Sequence, residues 1–371
     1  MRSRSAPPFR VEPFGMAPDG RPVAMHTLAN ASGMEVCFLT LGGRIVSVRV
    51  PDRDGVLADV TPGYDSLADY LDDGCYFGAL IGRCANRIAN SRFVLDGTTY
   101  TLDPNDGPNL LHGGDDGFHH VVWSVEPFAG ERCVGAVLTY ASGAGEGGFP
   151  GKLSVRVTYT LTDDNELSFD YDAGTDAATL VNLTQHVYVN LAGHASGDIL
   201  GHELTLLASR YLPVDDEIIP TGELRPVQGT PFDFREPRTI GADSPSRDAG
   251  RPIDGYDHCF VLDGGSPGIA RLVARLYEPV SGRMLEIETT EPGLQLYSGG
   301  QLGNSLTGKN GKPYGRHGAV ALETQHFPNS PNVPHFPSTI LRPGSRYRSR
   351  TVYRFVTPSR LFQRLKLSGQ L

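Results

Sequence analysis

Residues 180–191 have the sequence LVNLTQHVYVNL, which alternates with the period of a β-strand. One face of this predicted strand is apolar apart from Gln185, and it carries Val181, Leu183, Val187, Val189 and Leu191. The opposite face is polar but uncharged, and it carries Asn182, Thr184, His186, Tyr188 and Asn190. Such groups both donate and accept hydrogen bonds, which is the mixture that sugar hydroxyls require. The pattern therefore indicates the lining of a pocket for a neutral ligand; the alternative is an ordinary half-exposed strand with a hydrogen-bonded histidine.

The same alternation recurs along the chain and favours an all-β fold. Val46, Val48 and Val50 share one side of a predicted strand. Residues 153–161 and 167–171 alternate on either side of the turn sequence TDDN, which predicts a hairpin. The 45 glycines and 28 prolines supply the turns that many short strands need. Short helices are expected only at residues 66–71, after an Asx or Ser cap, and at residues 360–367.

Near the C-terminus, a further predicted strand carries apolar and hydroxyl side chains on one face and four arginines on the other. This pattern indicates that the arginine face is a solvated sheet face. The arginines are Arg346, Arg348, Arg350 and Arg354. No internal repeat and no low-complexity linker divides the chain of 371 residues. We therefore expect residues 21–371 to form one domain, with residues 1–20 as a flexible N-terminal extension.

The net charge limits the class of partner, and cysteine usage indicates the compartment. The net charge of −9 argues against nucleic acid or an anionic membrane surface as a partner, whereas it does not obstruct a neutral sugar. The five cysteines are odd in number, widely spaced and without a CxxC pair, which is typical of reduced thiols in a cytoplasmic protein. The N-terminus lacks an apolar signal region, and no run of about 18 apolar residues predicts a membrane span.

Two segments combine glycine with groups that suit polar ligands. In GRCANR, the fork of Arg87 can hold neighbouring oxygens and Asn86 stands beside it, although a surface arginine is usually only solvated. In PNLLHGG, His112 precedes two glycines, where a backbone can approach a ligand closely. The alternative there is a turn with an incidental histidine.

Two further segments carry polar groups next to apolar strands. Asp257 in DGYDHCFVL can accept hydrogen bonds from adjacent hydroxyls, or it can cap a turn. In PGLQLY, Gln295 and Tyr297 share one face while two leucines share the other. This repeats, in a shorter form, the neutral polar face of residues 180–191.

Glu323 ends the apolar run GAVALE and precedes a proline-rich loop. Burial at the end of such a strand favours the uncharged carboxyl and raises its pKa unless partners compensate. That tuning suits a general base, and the alternative is a carboxylate satisfied by backbone donors of the loop. Zinc motifs and a P-loop are missing from the sequence, and neither a GxSxG elbow nor a GxGxxG fingerprint occurs between a predicted strand and a predicted helix, so we expect no metal and no organic cofactor.

Taken in order, these segments resemble the aldose 1-epimerase (galactose mutarotase) family. The matching pieces are GRCANRIANSRFVLDG, NDGPNLLHGG with GFHHVVW, GFPG, NLTQHVYVNLAGH, YLPVDDEIIPTGE with GTPFDFR, DGYDHCFVL, EPGLQLYSG and LETQHFPNSPNVPHFPS. The resemblance runs from about residue 42 to about residue 357, nearly the whole chain. The resemblance implies a large antiparallel β-sandwich of the mutarotase type with few helices, and a sugar cleft open on one sheet.

The resemblance also implies an activity and a site. It implies interconversion of the α and β anomers of free aldohexoses such as galactose and glucose, with His186 as catalytic acid and Glu323 as catalytic base. The implied substrate contacts are Asn86, Arg87, His112, Tyr188, Asp257 and Gln295. The expected partner is a monosaccharide, and the expected assembly is a monomer or weak homodimer.

Three alternatives stay open at this point. A sugar-binding protein without catalysis could use the same polar cleft. A hexose-6-phosphate epimerase would need clustered arginine or lysine for the dianion, which the site motifs lack. A glycosidase or lyase is disfavoured because paired carboxylates are not evident. The preferred sugar is not determined by the sequence.

Overall fold

Antiparallel strands make up most of this computed structural model, which describes residues 8–245, 247–248, 251–252, 254–266, 268–303 and 306–358. The strands of the first half are β1 (Phe9–Met16), β2 (Pro22–Ala29), β3 (Glu35–Leu39), β4 (Ile45–Pro51), β5 (Leu57–Asp59), β6 (Ala79–Ile81), β7 (Arg87–Ile88), β8 (Arg92–Leu95), β9 (Thr98–Thr101), β10 (Leu110–Leu111), β11 (Ser124–Ala129), β12 (Cys133–Ser142), β13 (Leu153–Thr162), β14 (Glu166–Thr175), β15 (Thr179–Leu180), β16 (Thr184–His186) and β17 (Tyr188–Val189). The strands of the second half are β18 (Glu203–Leu206), β19 (Arg210–Tyr211), β20 (Arg225–Pro226), β21 (Arg238–Thr239), β22 (Arg247–Asp248), β23 (Arg251–Pro252), β24 (Asp257–Val261), β25 (Arg271–Tyr277), β26 (Met284–Thr289), β27 (Gly293–Tyr297), β28 (Leu306–Thr307), β29 (Pro313–Tyr314), β30 (Val320–Gln325), β31 (Ile340–Leu341) and β32 (Tyr347–Val356).

Helical structure within the described residues is short. One α-helix, α1 (Leu67–Leu71), begins after Ser66, whose side chain accepts a hydrogen bond from the Asp69 amide. This confirms the helix predicted at residues 66–71. Single 3₁₀ turns occupy Ala89–Ser91, Phe118–His120, Glu146–Gly148, Lys309–Gly311 and Ser330–Asn332. None of the described helices has the length and apolar composition needed to cross a membrane.

Two large sheets form the sandwich. The nine-stranded sheet has the order β11-β12-β13-β14-β32-β26-β25-β18-β21, and the six-stranded sheet has the order β17-β30-β27-β24-β19-β20. The predicted hairpin is β13–β14, in which Leu161 pairs with Leu167 beside the TDDN turn. On β13 the buried and more exposed side chains alternate, as the sequence pattern predicts. The prediction of an all-β antiparallel sandwich is confirmed.

Strand periodicity divides the six-stranded sheet into a core face and a cleft face. Leu294 and Leu296 of β27 and Val320 and Leu322 of β30 are buried in the main apolar core, together with side chains of the nine-stranded sheet. Because successive side chains on a strand point to opposite faces, the residues that alternate with these four point away from the apolar core. Glu323 is therefore directed to the cleft face by the burial of its neighbours.

Residues 180–191 differ from the single strand predicted for them. They form β15, β16 and β17, which pair with β31, β6 and β30 respectively, because the segment crosses between three partners. The polar row does not line a pocket as a whole, and that part of the prediction is wrong. Asn182, Thr184 and Asn190 are buried and donate their side-chain hydrogens to main-chain oxygens. Only His186 and Tyr188 reach the cleft.

The N-terminal region also differs from the expectation of a flexible extension over residues 1–20. Residues 9–16 form β1, the edge strand of a five-stranded sheet with the order β1-β2-β3-β4-β5. The Phe9 ring lies 5.5 Å from His26 and the Phe14 ring 6.2 Å from Tyr70, which anchors the strand at two points. Residues 1–7 and the helix expected at residues 360–367 lie outside the described residues.

Candidate active site

The register between β17 and β30 brings His186 and Glu323 face to face. Tyr188 pairs with Ala321 across these strands. His186 lies two residues before Tyr188 and Glu323 two residues after Ala321, so in an antiparallel register they occupy opposing positions on the same face. The His186 Nε2 atom lies 3.5 Å from Glu323 Oε1. Both side chains are almost fully buried, with relative exposures of 4% and 1%.

The next strands of the same sheet extend this row of polar groups. Gln295 of β27 pairs directly with Glu323. Its amide nitrogen donates a 2.7 Å hydrogen bond to Oδ1 of Asp257, the first residue of β24. Three strands thus present a carboxyl, an amide and a second carboxylate side by side. The arrangement follows from period-two alternation on strands whose other faces are apolar.

A small two-stranded sheet supplies the opposite wall. β7 pairs with β10 so that Arg87 stands opposite Leu111, and His112 follows at once. Arg87 donates from Nε to Asp106 at 2.7 Å, and its Nη1 lies 3.8 Å from Asp257. The Asn86 backbone amide donates to His112 Nδ1 at 3.3 Å. Because Nδ1 accepts this bond, the neutral imidazole of His112 carries its proton on Nε2.

The glycines after His112 serve the chain's own packing. A Cβ at Gly113, which has a φ of 88°, would collide with the carbonyl oxygen of Gly82. The sequence suggested that these glycines admit a ligand close to the backbone. In the structure Gly113 lets the turn that carries His112 lie against Gly82, in the segment that carries Arg87.

One cavity of about 160 Å³ joins both walls, a size that suits a monosaccharide better than a drug-sized molecule. Seven of the eight predicted site residues line it, namely Asn86, Arg87, His112, His186, Tyr188, Asp257 and Glu323. Gln295 lies behind Asp257 and is 3% exposed. The cavity lining also includes Tyr76 and Tyr297, which were not among the predicted site residues.

Tyr76 is the most substantial residue that sequence reasoning missed. Its ring centroid lies 4.7 Å from His112 and 6.0 Å from His186, so it packs against both imidazoles. It adopts a φ of 57°, which is uncommon for an aromatic residue, and no local sequence pattern indicated it. Tyr297, by contrast, shares the strand face of Gln295, and that alternation was a usable signal.

Burial shifts the two facing groups toward their uncharged forms. It lowers the pKa of the His186 imidazole to about 4. It raises the pKa of the Glu323 carboxyl well above the usual value; the Asp257 charge raises it further and the Arg87 charge opposes this. Within the described residues, His186 Nδ1, Glu323 Oε2 and Gln295 Oε1 are buried without a hydrogen-bond partner. Such atoms are costly unless a ligand satisfies them.

The side chains do not fit a metal ion as they stand. The potential ligand atoms of His112, His186 and Glu323 lie within 4.8 Å of one another, and two histidines with a glutamate can bind zinc. Ligation through His112 Nε2 needs a lone pair there and a proton on Nδ1. The Asn86 amide already donates to Nδ1, so His112 offers a hydrogen and no lone pair to the cavity.

Comparison with known proteins agrees with this fold. The model of the aldose 1-epimerase family matches residues 24–354. The chain is 43% identical over 342 residues to the galactose mutarotase of Homo sapiens, covering 92% of this chain and 97% of the relative. It is 40% identical over 343 residues to the aldose 1-epimerase of Escherichia coli K12, with the same coverage of 92% and 97%. A crystal structure of an aldose epimerase homologue from C. elegans has a TM-score of 0.82 at 32% identity, covering 90% of this chain and 98% of the other.

Proposed function

The chain belongs to the aldose 1-epimerase family of carbohydrate epimerases, and on that premise we propose that it interconverts the α and β anomers of free aldohexoses such as galactose and glucose. The observation that carries the proposal is the facing pair of His186 and Glu323, whose nearest atoms are 3.5 Å apart in a cavity of monosaccharide size. Acid–base groups of this kind each contribute about 10²–10⁴-fold to a rate.

Anomer exchange requires the hemiacetal ring to open and close again. Glu323, as carboxylate, removes the proton from O1, and the O1 electron pair forms the carbonyl with C1. The C1–O5 electron pair passes to O5, which takes a proton from the imidazolium of His186. Rotation about C1–C2 presents the other carbonyl face, and the same two proton transfers in reverse close the ring to the opposite anomer.

The two proton transfers leave the net charge of the buried pair unchanged. Before ring opening the pair is an imidazolium and a carboxylate; afterwards it is an imidazole and a carboxyl, with the same net charge of zero. Burial favours the second form, since it lowers the pKa of His186 to about 4 and raises that of Glu323. Ring opening therefore discharges two buried charges, while the same burial makes the imidazolium–carboxylate pair that begins the reaction the less populated of the two one-proton forms.

The remaining cavity groups suit the hydroxyls and ring oxygen of a pyranose. His112 offers its Nε2–H as a donor, because Nδ1 is engaged by the Asn86 amide. Arg87 offers further donors from a guanidinium fixed by Asp106. Asp257 accepts hydrogen bonds from adjacent hydroxyls, in a geometry fixed by the Gln295 amide. Mixed donors and acceptors of this sort match a sugar.

The cavity favours a neutral sugar over a hexose 6-phosphate. Arg87 is the one arginine or lysine among the described residues that line it, and its neighbours Asp106 and Asp257 already engage that charge. A phosphate dianion needs several uncommitted cationic donors. Comparison of glucose with glucose 6-phosphate in one mutarotation assay tests this directly.

Polarimetry on freshly dissolved α-galactose, α-glucose, xylose and arabinose tests the proposal and ranks the sugars. Accelerated mutarotation by the purified chain supports it. Calorimetric binding of a sugar without any acceleration would favour the non-catalytic binding protein instead. We further propose a single catalytic domain that includes β1, a monomer or weak homodimer, and a cytoplasmic location. Gel filtration tests the assembly, and cell fractionation tests the location.

A further inference from the structure

His186 and Glu323 come from segments that pair by a ladder on one side only. β17 pairs with β30 through Tyr188 and Ala321, just beyond the two residues. On the other side, β16 pairs with β6 rather than with β30. There the two segments are joined through side chains, beginning with Thr184, which donates to the main-chain oxygen of Thr324 at 2.8 Å.

A closed ring of hydrogen bonds lies next along these segments. Asn182 accepts from the His326 amide at 2.9 Å, which joins the His186 segment to the end of β30. His326 Nδ1 lies 2.6 Å from Glu291 Oε2, and the Tyr347 hydroxyl donates to Glu291 Oε1 at 3.2 Å. The same hydroxyl accepts from the Leu183 amide at 3.2 Å, which closes the ring. We call these five residues the tether.

Glu291 is the centre of the tether. Its carboxylate is 3% exposed and receives one bond from each of two elements, β32 through Tyr347 and the end of β30 through His326. It also lies two residues before β27, which carries Gln295. A buried carboxylate of this kind persists only where its partners satisfy it, so the geometry of those partners is fixed by it.

The ionisation of the pair agrees with this geometry. Burial raises the pKa of Glu291, but the His326 charge and hydrogen bond lower it below its usual value overall. Burial lowers the pKa of His326, yet Glu291 raises it above the usual value overall. Both directions describe an ion pair, in contrast to the uncharged forms that burial favours for His186 and Glu323.

We propose that the Glu291 carboxylate is a positioning group for the reaction: by bonding both Tyr347 and His326, it keeps the two catalytic segments at the separation that proton transfer needs. The inference rests on the proposed function. Glu291 contacts neither of the two catalytic side chains, so it acts through the tether. A displacement of about 1 Å between reacting groups is enough to reduce a rate about 100-fold, so loss of the tether acts on kcat.

The test compares three variants with the wild type by polarimetry and thermal unfolding. Glu291→Ala removes both bonds and is expected to lower kcat at least about 10-fold while KM changes less than about twofold. Glu291→Gln keeps an acceptor for Tyr347 and a donor for neutral His326, and is expected to recover kcat to within about threefold of the wild type. Tyr347→Phe breaks one side of the tether without a large cavity, and is expected to give an intermediate kcat.

A matched control separates positioning from general stability. Val157 is fully buried on β13 of the other sheet, and Val157→Ala is expected to lower the unfolding midpoint without changing kcat. The proposal is overturned if both Tyr347→Phe and Glu291→Ala keep the wild-type kcat. If Glu291→Ala does not fold, a wild-type kcat in Tyr347→Phe overturns it. A wild-type chain that fails to accelerate mutarotation would overturn the proposed function and this inference together. An active wild type with unaffected tether variants overturns the inference only.

Discussion

Tyr188 of β17 pairs with Ala321 of β30, and this one pair sets the register in which His186 opposes Glu323. Side chains on a strand alternate, so a slip of one residue would turn one of the two catalytic side chains into the apolar core. The burial of Val187 and Val189 on the other face of the same segment fixes the register energetically. The facing arrangement of the two proposed catalytic groups thus depends on the hydrophobic packing of residues that adjoin them in sequence.

Replacing the proposed base tests the mechanism at O1. Glu323→Gln retains the size and polarity of the side chain but cannot take a proton. We expect kcat to fall at least about 100-fold with KM nearly unchanged, measured by polarimetry. The control is Glu166→Gln, since Glu166 pairs with Arg354 on the far sheet. Normal turnover of Glu323→Gln would remove Glu323 from the role of base.

The proposed acid is tested in the same assay. His186→Asn leaves a polar group in the cleft without the ability to deliver a proton to O5. The expected loss in kcat is again at least about 100-fold, with sugar binding retained in calorimetry. Wild-type turnover of this variant would exclude the imidazole from the reaction.

The pH profile of kcat follows from the shared proton. The active pair holds one proton. It loses this proton at high pH and takes up a second one at low pH, so both limbs of the pH profile are macroscopic properties of the pair and not of one residue. Burial lowers the pKa of His186 to about 4 and raises that of Glu323 well above its usual value, so His186 sets the acid limb near pH 4 and Glu323 sets the alkaline limb; unshifted groups would give limbs at about 4.3 and 6.5 with the two roles exchanged. A narrow maximum between those two values, measured by polarimetry corrected for spontaneous mutarotation, would contradict the assignment.

Glu323 should also reduce the stability of the fold near neutral pH. Its pKa is higher in the folded than in the unfolded chain, so the folded state holds the proton more tightly. The stabilisation that this tighter proton binding gives the folded state is fully present below the unfolded pKa of about 4.3, and it is lost as the pH rises toward the folded pKa. We expect Glu323→Gln to unfold at a higher temperature than the wild type at pH 7, and the difference to shrink toward pH 4. Equal midpoints at both pH values would show that the carboxyl is not strained by burial.

Arg87 is tested by a change that keeps its charge. Lysine cannot bond both Asp106 and Asp257 through a rigid fork, so Arg87→Lys should loosen the sugar site. We expect KM to rise about 10-fold, equivalent to about 1.4 kcal/mol, with a smaller change in kcat. Arg132→Lys on an exposed ion pair with Asp164 serves as the control and should leave both constants unchanged. A fall in kcat alone would assign Arg87 to the chemical step.

The local sequence pattern was sufficient to predict those elements that keep the same neighbours along their whole length. The β13–β14 hairpin and helix α1 follow from alternation, a turn sequence and a Ser cap, and these were predictable. Pattern failed at residues 180–191, because alternation specifies which side chains share a face and says nothing of a change of partner strand. It also failed at Tyr76, whose approach to two histidines depends on a backbone conformation that no neighbouring residue indicates.

The sequence by itself determined an all-β chain and, through its resemblance to a family, named seven of the residues that line the cavity. Tertiary structure alone decided that Asn182, Thr184 and Asn190 bind main-chain groups while His186 faces Glu323 at 3.5 Å. It also decided that Gln295 lies behind Asp257 and that His326, unremarkable in sequence, forms an ion pair with Glu291. The physical reason is that periodicity is a local property of the chain, whereas pKa shifts and hydrogen-bond partners depend on segments far apart in sequence that burial brings together.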